Sequence, residues 1–140
     1  FGSHSRVIFP FKRIEKLRDL APEDQHLNGM VTSVYQLFPN VAISVLSKHS
    51  TVTIFEPASP TRTKMLIFRI TNTEPEGSST DVEEAKHDAS FVKDAGFDED
   101  REVACAIQGT VNTIANEHLT FGHYEKAIVH FHQTLSKHLS

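Results

Sequence analysis

The apolar residues of this chain change their repeat once, across the polar link "TNTEPEGSST" (71–80). Before the link they alternate with a period of two, and after it they recur every three or four residues. Period two sends neighbouring side chains to opposite faces of a strand, whereas three-and-four spacing builds one face of a helix. "VAISVLSK" sets Val41, Ile43 and Val45 against Ala42 and Ser44. "TVTIFE" sets Val52 and Ile54 against Thr51, Thr53 and Phe55, and "TKMLIFRI" is apolar almost throughout. These read as three strands, the last two joined by a two-proline turn in "EPASPTR" (56–62). "SRVIF", closed by Pro10, adds another strand, and "MVTSVYQLF", ended by Pro39-Asn40, is ambiguous but favours a strand through its Val, Thr and Tyr. "FKRIEKLRDL" spaces Phe11, Ile14 and Leu17 as a short amphipathic turn or helix, and "APEDQHLNG" is a breaker-rich loop.

Beyond the link, Thr80 and Glu83 have the spacing of a capping box that opens a helix. Val82, Ala85, Ala89 and Val92 give that helix one apolar stripe, and Gly96 is its expected stop. A second helix is expected over roughly 99–117. A third, over roughly 124–139, puts Tyr124, Ile128, Phe131, Leu135 and Leu139 on one face. Strands first and helices afterwards is the order of an α+β domain, strand-rich over 1–72 and helical over 80–140. The strands form an antiparallel meander.

A chain of 140 residues, 39% hydrophobic and 23% charged, is long and apolar enough for one domain or a piece of a larger one. A net charge of −4 and a pI near 6.1 argue against a nucleic-acid partner, which calls for a basic patch. Cys105 is the one cysteine, so an internal disulfide is excluded and a reducing cytoplasm is the expected setting. No apolar run reaches the roughly 20 residues that span a bilayer, so no membrane association is expected. "FGSHSRVIFPF" lacks the apolar segment of a secretory signal. The abrupt start at Phe1, without an initiator methionine, hints at a fragment.

The second helix opens on Asp98, Glu99 and Asp100, and its azimuths separate them. At about 100° per residue, Val103, Ala104, Ile107, Val111 and Ile114 all fall within about 60° of Asp100. Glu99, Asp98 and Glu102 point at least about 100° away. Acids in a first turn commonly do no more than cap the helix and complement its positive end. A dipole needs no particular azimuth, however, and a carboxylate on an apolar face is costly without a cation, a metal or good donors. Asp100 is therefore the acid that calls for a partner, although spacing does not name one.

The nine histidines invite a metal reading. His130 and His132 lie about 200° apart on a helix and cannot converge, His130 pointing to solvent and His132 edging the apolar face. His138 is roughly 12 Å along the axis from His130. "HLTFGH" spaces His118 and His123 as two ligands of a two-histidine, one-carboxylate iron site. Gly122 interrupts any helix that would present both, and Asp100 would lie roughly 25–30 Å away at about 1.5 Å per residue.

Six segments in order, "GSHSR", "LFPNVAISVLSKH", "PASPTRTKM", "DEDREVACAIQ", "LTFGHYE" and "HFHQTLSKHL", together resemble the catalytic domain of Rieske-type aromatic-ring-hydroxylating oxygenases, large (alpha) subunit. The likeness covers nearly the whole chain, and it makes "GSHS" native sequence rather than a tag remnant. It implies a helix-grip fold of the START-like kind, an antiparallel sheet wrapped around a long helix. The family binds a mononuclear Fe(II) through two histidines of a D/N-x-x-H-x4-H segment and one aspartate of an E/D-D-x7-Q pattern. Asp100, eight residues before Gln108, stands at that aspartate, with Glu99 as the neighbouring acid. The resemblance also implies a [2Fe-2S] Rieske cluster, with electrons from NAD(P)H arriving through a reductase and often a ferredoxin. O2 and a small aromatic or related substrate complete the reaction, and the alpha subunits commonly form trimers.

The departures are specific. No C-x-H…C-x-x-H pattern is present, and one cysteine could not supply the cluster. The D/N-x-x-H-x4-H segment is absent as well, since Ala115 stands three residues before His118, and "HLTFGH" matches the family's later L-x-F-G-x-Y/F-E stretch instead. The chain thus resembles the C-terminal portion of a catalytic domain, an incomplete domain with one iron ligand of three and no activity alone. The apolar strand faces around Val41–Leu46 and Met65–Ile70 line either a substrate pocket or plain core. Two other readings compete: a helix-grip small-molecule-binding module without redox chemistry, and a small metal protein using His118, His123 and an acid.

Overall fold

A computed structural model describes residues 2–27, 29–73, 77–92, 98–111, 113, 115 and 118–140. Five strands form one sheet: β1 (Ser5–Pro10), β2 (Val31–Leu37), β3 (Val41–Val45), β4 (His49–Ser59) and β5 (Arg62–Thr71). They lie in chain order, each antiparallel to the next, which is the meander that the alternating segments predict. Three α-helices follow among the described residues, α1 (Val82–Val92), α2 (Asp98–Val111) and α3 (Lys126–Leu139). The amphipathic segment after β1 is a 3-10 helix, Lys12–Asp19, which buries Leu17, and the expected loop beyond it holds a short 3-10 turn, Pro22–Asp24.

The register sorts the strands into two faces. Tyr35, Ile43, Val52 and Phe68 form one transverse row, and Leu37, Val41, Ile54 and Leu66 form the next on the same side. These two rows are apolar apart from the Tyr35 hydroxyl. Val34, Ser44, Thr51 and Arg69 make up a row of the opposite side, as do Gln36, Ala42, Thr53 and Ile67. Among the described residues, α3 packs on β1 and α1 packs on β4, toward opposite ends of the sheet. Of the described residues, Ala85 and Ala89 are the buried apolar positions of α1, and Thr134 is the buried residue of α3.

Several boundaries differ from the sequence expectations. The turn in "EPASPTR" shrinks to Pro60-Thr61, because β4 continues through Pro57 to Ser59. Proline is tolerated there because the ladder is irregular between Pro57 and Ser59. Helix α1 is capped by Asp81 and not by a Thr80–Glu83 box: Asp81 Oδ1 accepts from the Glu83 and Glu84 amides at 2.9 and 3.2 Å. Thr80 is instead buried, its amide donating to the Asn72 carbonyl at 2.8 Å. The expected stop at Gly96 lies outside the described residues. Helix α2 begins one residue before its expected start and ends at Val111; of the expected extension to 117, Asn112, Ile114, Asn116 and Glu117 lie outside the described residues. Helix α3 starts at Lys126, leaving Tyr124 outside it and 94% exposed.

The chain covers little of its own apolar surface. Among the described residues, Leu17, Ala85 and Ala89 are the buried hydrophobic ones, while Phe68, Ile70 and Phe9 are each more than half exposed. A compact monomer of 15.7 kDa exposes about 7,300 Å². This chain exposes 10972 Å², roughly half as much again.

Candidate functional site

Asp98, Glu99 and Asp100 form the first turn of α2, as their residue types favour, and all three are exposed. The stripe that shares Asp100's azimuth is also open, with Val103, Ile107 and Val111 exposed by 53%, 54% and 59%. No residue of α2 is buried. The carboxylate therefore stands at the head of an uncovered apolar helix face, not inside a core.

His118 and His123 are both exposed, and the His123 ring lies edge-on to Tyr124 at 5.2 Å. Among the described residues, no three His, Cys, Asp or Glu side chains come together to hold a metal ion. A mononuclear iron needs more donors than Asp100 offers, so the described residues do not by themselves fit one.

The histidines of α3 reverse their expected roles. His130 is half-buried, and its Nε2–H donates to the Gly2 carbonyl at 3.0 Å, whereas His132 is exposed and lies tilted against the Phe121 ring at 5.5 Å. The cause is the rotation of the helix. Its inward face runs through Ala127, His130, Phe131 and Thr134, so Ile128 and Leu139 stay 43% and 78% exposed. Phe38, just past β2, sets that rotation by packing on Phe131 at 5.8 Å and on His138 at 5.1 Å. The Phe38 amide in turn donates to His4 Nδ1 at 3.0 Å. The "GSHS" segment is thus held by both ends, through Gly2 and His4.

Spacing alone does not single out a second constellation. His49 opens β4 and is the most deeply buried side chain among the described residues, 2% exposed. Its Nδ1–H donates to Asp88 Oδ2 of α1 at 2.8 Å; a carboxylate only accepts, which assigns the proton to Nδ1. The same oxygen accepts from the Lys48 amide at 3.3 Å, and Lys48 Nζ reaches Glu84 at 3.6 Å. Asn72 braces the adjoining turn, accepting from Ser50 Oγ at 2.7 Å and donating to the Leu46 carbonyl at 2.8 Å.

Beside this pair lies an open cleft of about 420 Å³ between the β4–β5 hairpin and α1. His49, Arg69 and Thr71 line its sheet side, and Ala85, Lys86 and Ala89 line its helix side. The hydrogen bond to Glu83, reinforced by that carboxylate's charge, raises the Lys86 amine above its ordinary pKa, so Lys86 is cationic at neutral pH. A smaller cavity of about 270 Å³ lies under α3 and includes Val41 and Ala42. Of the two strand segments expected to line a pocket or a core, each therefore contributes residues to a cavity. The signal for the His49–Asp88 pair was present but faint: Asp88 follows Ala85 by three residues, on the edge of the stripe that α1 buries.

No helix among the described residues is long and apolar enough to cross a membrane. A family model for the ring-hydroxylating alpha subunit (catalytic domain) matches residues 11–140. No curated protein and no solved structure matches the chain. The family match spans five of the six segments that carry the resemblance, including the acids of α2 and the whole of α3. The chain belongs to the ring-hydroxylating alpha-subunit catalytic-domain family.

Proposed function

We propose that this chain acts as the C-terminal portion of the catalytic domain of a Rieske-type ring-hydroxylating oxygenase. The reaction hydroxylates an aromatic or related substrate with O2 and electrons derived from NAD(P)H. In this reading the fold is of the helix-grip kind, Asp100 is the carboxylate ligand of the iron, and the two histidine ligands come from outside these 140 residues. The [2Fe-2S] cluster also lies outside them, and a ferredoxin or reductase delivers the electrons.

The observation that carries the reading is the head of α2. Asp100 sits in the first turn of a helix whose apolar residues, Val103, Ile107 and Val111, are all more than half exposed. An apolar helix face of this kind is ordinarily covered by other protein. A carboxylate at its edge, once covered, needs a cation or a metal as partner. The large exposed surface of the chain supports the same view, because it matches a piece of a larger body better than a closed monomer. Asp100 would then supply a fixed anionic oxygen, and the apolar residues beside it would exclude water.

The reading is tested on the complete oxygenase, supplied with its electron donors and an aromatic substrate. Asp100→Asn should abolish hydroxylated product, while Glu99→Gln should leave product formation within about twofold, as expected for a surface acid. Substrate hydroxylation that survives Asp100→Asn, or NADH-linked oxygen uptake by the 140 residues alone, would overturn the assignment.

A further inference from the structure

We propose that the cleft between the β4–β5 hairpin and α1 is a binding site for a small organic monocarboxylate with an apolar body. The register builds its floor. His49 pairs with Thr71 and Thr51 with Arg69, so all four side chains stand on one face of the hairpin, with Arg69 diagonal to His49. Helix α1 forms the roof through Val82, Ala85, Lys86 and Ala89, at the three-and-four spacing of a single helix face. Alanine at two of these positions keeps the roof shallow, and the space left open, about 420 Å³, lies within the range of small-ligand pockets.

The chemistry of the walls selects the ligand. Most of the lining is apolar, supplied from the helix by Val82, Ala85 and Ala89, and suits a hydrocarbon or ring body. The charges along the wall are positive. Lys86 is already paired with Glu83 at 2.7 Å, and the imidazole of His49 is fixed by Asp88. No carboxylate among the described residues forms an ion pair with Arg69. An apolar slot with one uncommitted guanidinium fits an anionic headgroup, and a guanidinium matches a carboxylate through two parallel hydrogen bonds. The His49–Asp88 bond pins α1 to the hairpin, so the slot exists before the ligand arrives.

The test uses the 140-residue chain with 2-naphthoate and its neutral counterpart 2-naphthamide, titrated by calorimetry and by methyl NMR. The carboxylate should bind about fivefold more tightly than the amide, the size that an exposed charged pair supplies. That preference should fall to about one in Arg69→Gln, a surface change within the small effects typical of exposed positions. The Ala85 and Ala89 methyl resonances should shift on adding 2-naphthoate. Equal affinity for the two compounds in the unaltered chain would overturn the proposal without reference to any variant. So would a preference that survives Arg69→Gln, or shifts confined to Ala127 and Ile128 of the cavity under α3.

Discussion

Removing the carboxylate of Asp88 tests how α1 is fastened to the sheet. One oxygen, Oδ2, accepts from the His49 imidazole at 2.8 Å and from the Lys48 amide at 3.3 Å. His49 is 2% exposed and has little access to water as a substitute acceptor, while the Asp88 side chain is 26% exposed. A hydrogen bond to a charged acceptor contributes about 1.5–3 kcal/mol, and a buried donor left unpaired costs about 1–3 kcal/mol. The longer bond to Lys48 adds little. Asp88→Ala should therefore cost about 2–3 kcal/mol in urea unfolding with an unchanged slope. At about 3 °C per kcal/mol for a chain of this size, the midpoint should fall by about 6–9 °C. Asp88→Asn keeps an acceptor oxygen and should cost about half as much. In a His49→Phe background, which removes the donor, Asp88→Ala should cost at least about 1 kcal/mol less than in the native chain. A loss below about 0.5 kcal/mol, or the same loss in both backgrounds, would refute the idea that this pair holds the helix.

Other changes follow from the same structure. Asp81→Ala removes the acceptor for two amides at the start of α1 and should cost about 1 kcal/mol, read by urea unfolding and helical circular dichroism. Leu17→Ala, at the buried position of the 3-10 helix, should cost about 2 kcal/mol by the same assay. Asp100→Ala should change the stability of the 140 residues by no more than about 0.5 kcal/mol, since the carboxylate is exposed and buries nothing. The raised Lys86 pKa has a definite sign. The Glu83 contact is fully present below the amine's ordinary value of about 10.4 and is lost as pH rises through the higher folded value. NMR titration of Lys86 should show that elevation, and Glu83→Gln should lower the titration midpoint toward the ordinary value.

The strands were legible because alternation survives half-burial: Val41, Ile43, Val52 and Ile54 do share one face of the sheet. Where the structure departs from local spacing, two local candidates compete and a distant contact decides between them. Thr80 and Asp81 are both capping types, and the bond from the Thr80 amide to Asn72 leaves the cap to Asp81. The phase of α3 could not be read from its own apolar residues, because Phe38, from the end of β2, determines which side packs. His49 and Asp88 stand 39 residues apart, and no spacing rule links the first residue of a strand to the edge of a helix. Asp100 shows the reverse case. Its azimuth was plain from helical geometry, but its partner depends on what covers α2, and these residues do not supply that cover.

Asp100 is proposed to ligate iron in a site completed by groups outside this chain. The decisive measurement is the iron content of the complete oxygenase, native and as Asp100→Ala and Glu99→Ala. One mononuclear iron per alpha subunit is expected in the native protein and in Glu99→Ala, with its loss in Asp100→Ala and none held by the 140 residues alone. Full iron occupancy in Asp100→Ala, or stoichiometric iron in the isolated chain, would contradict it.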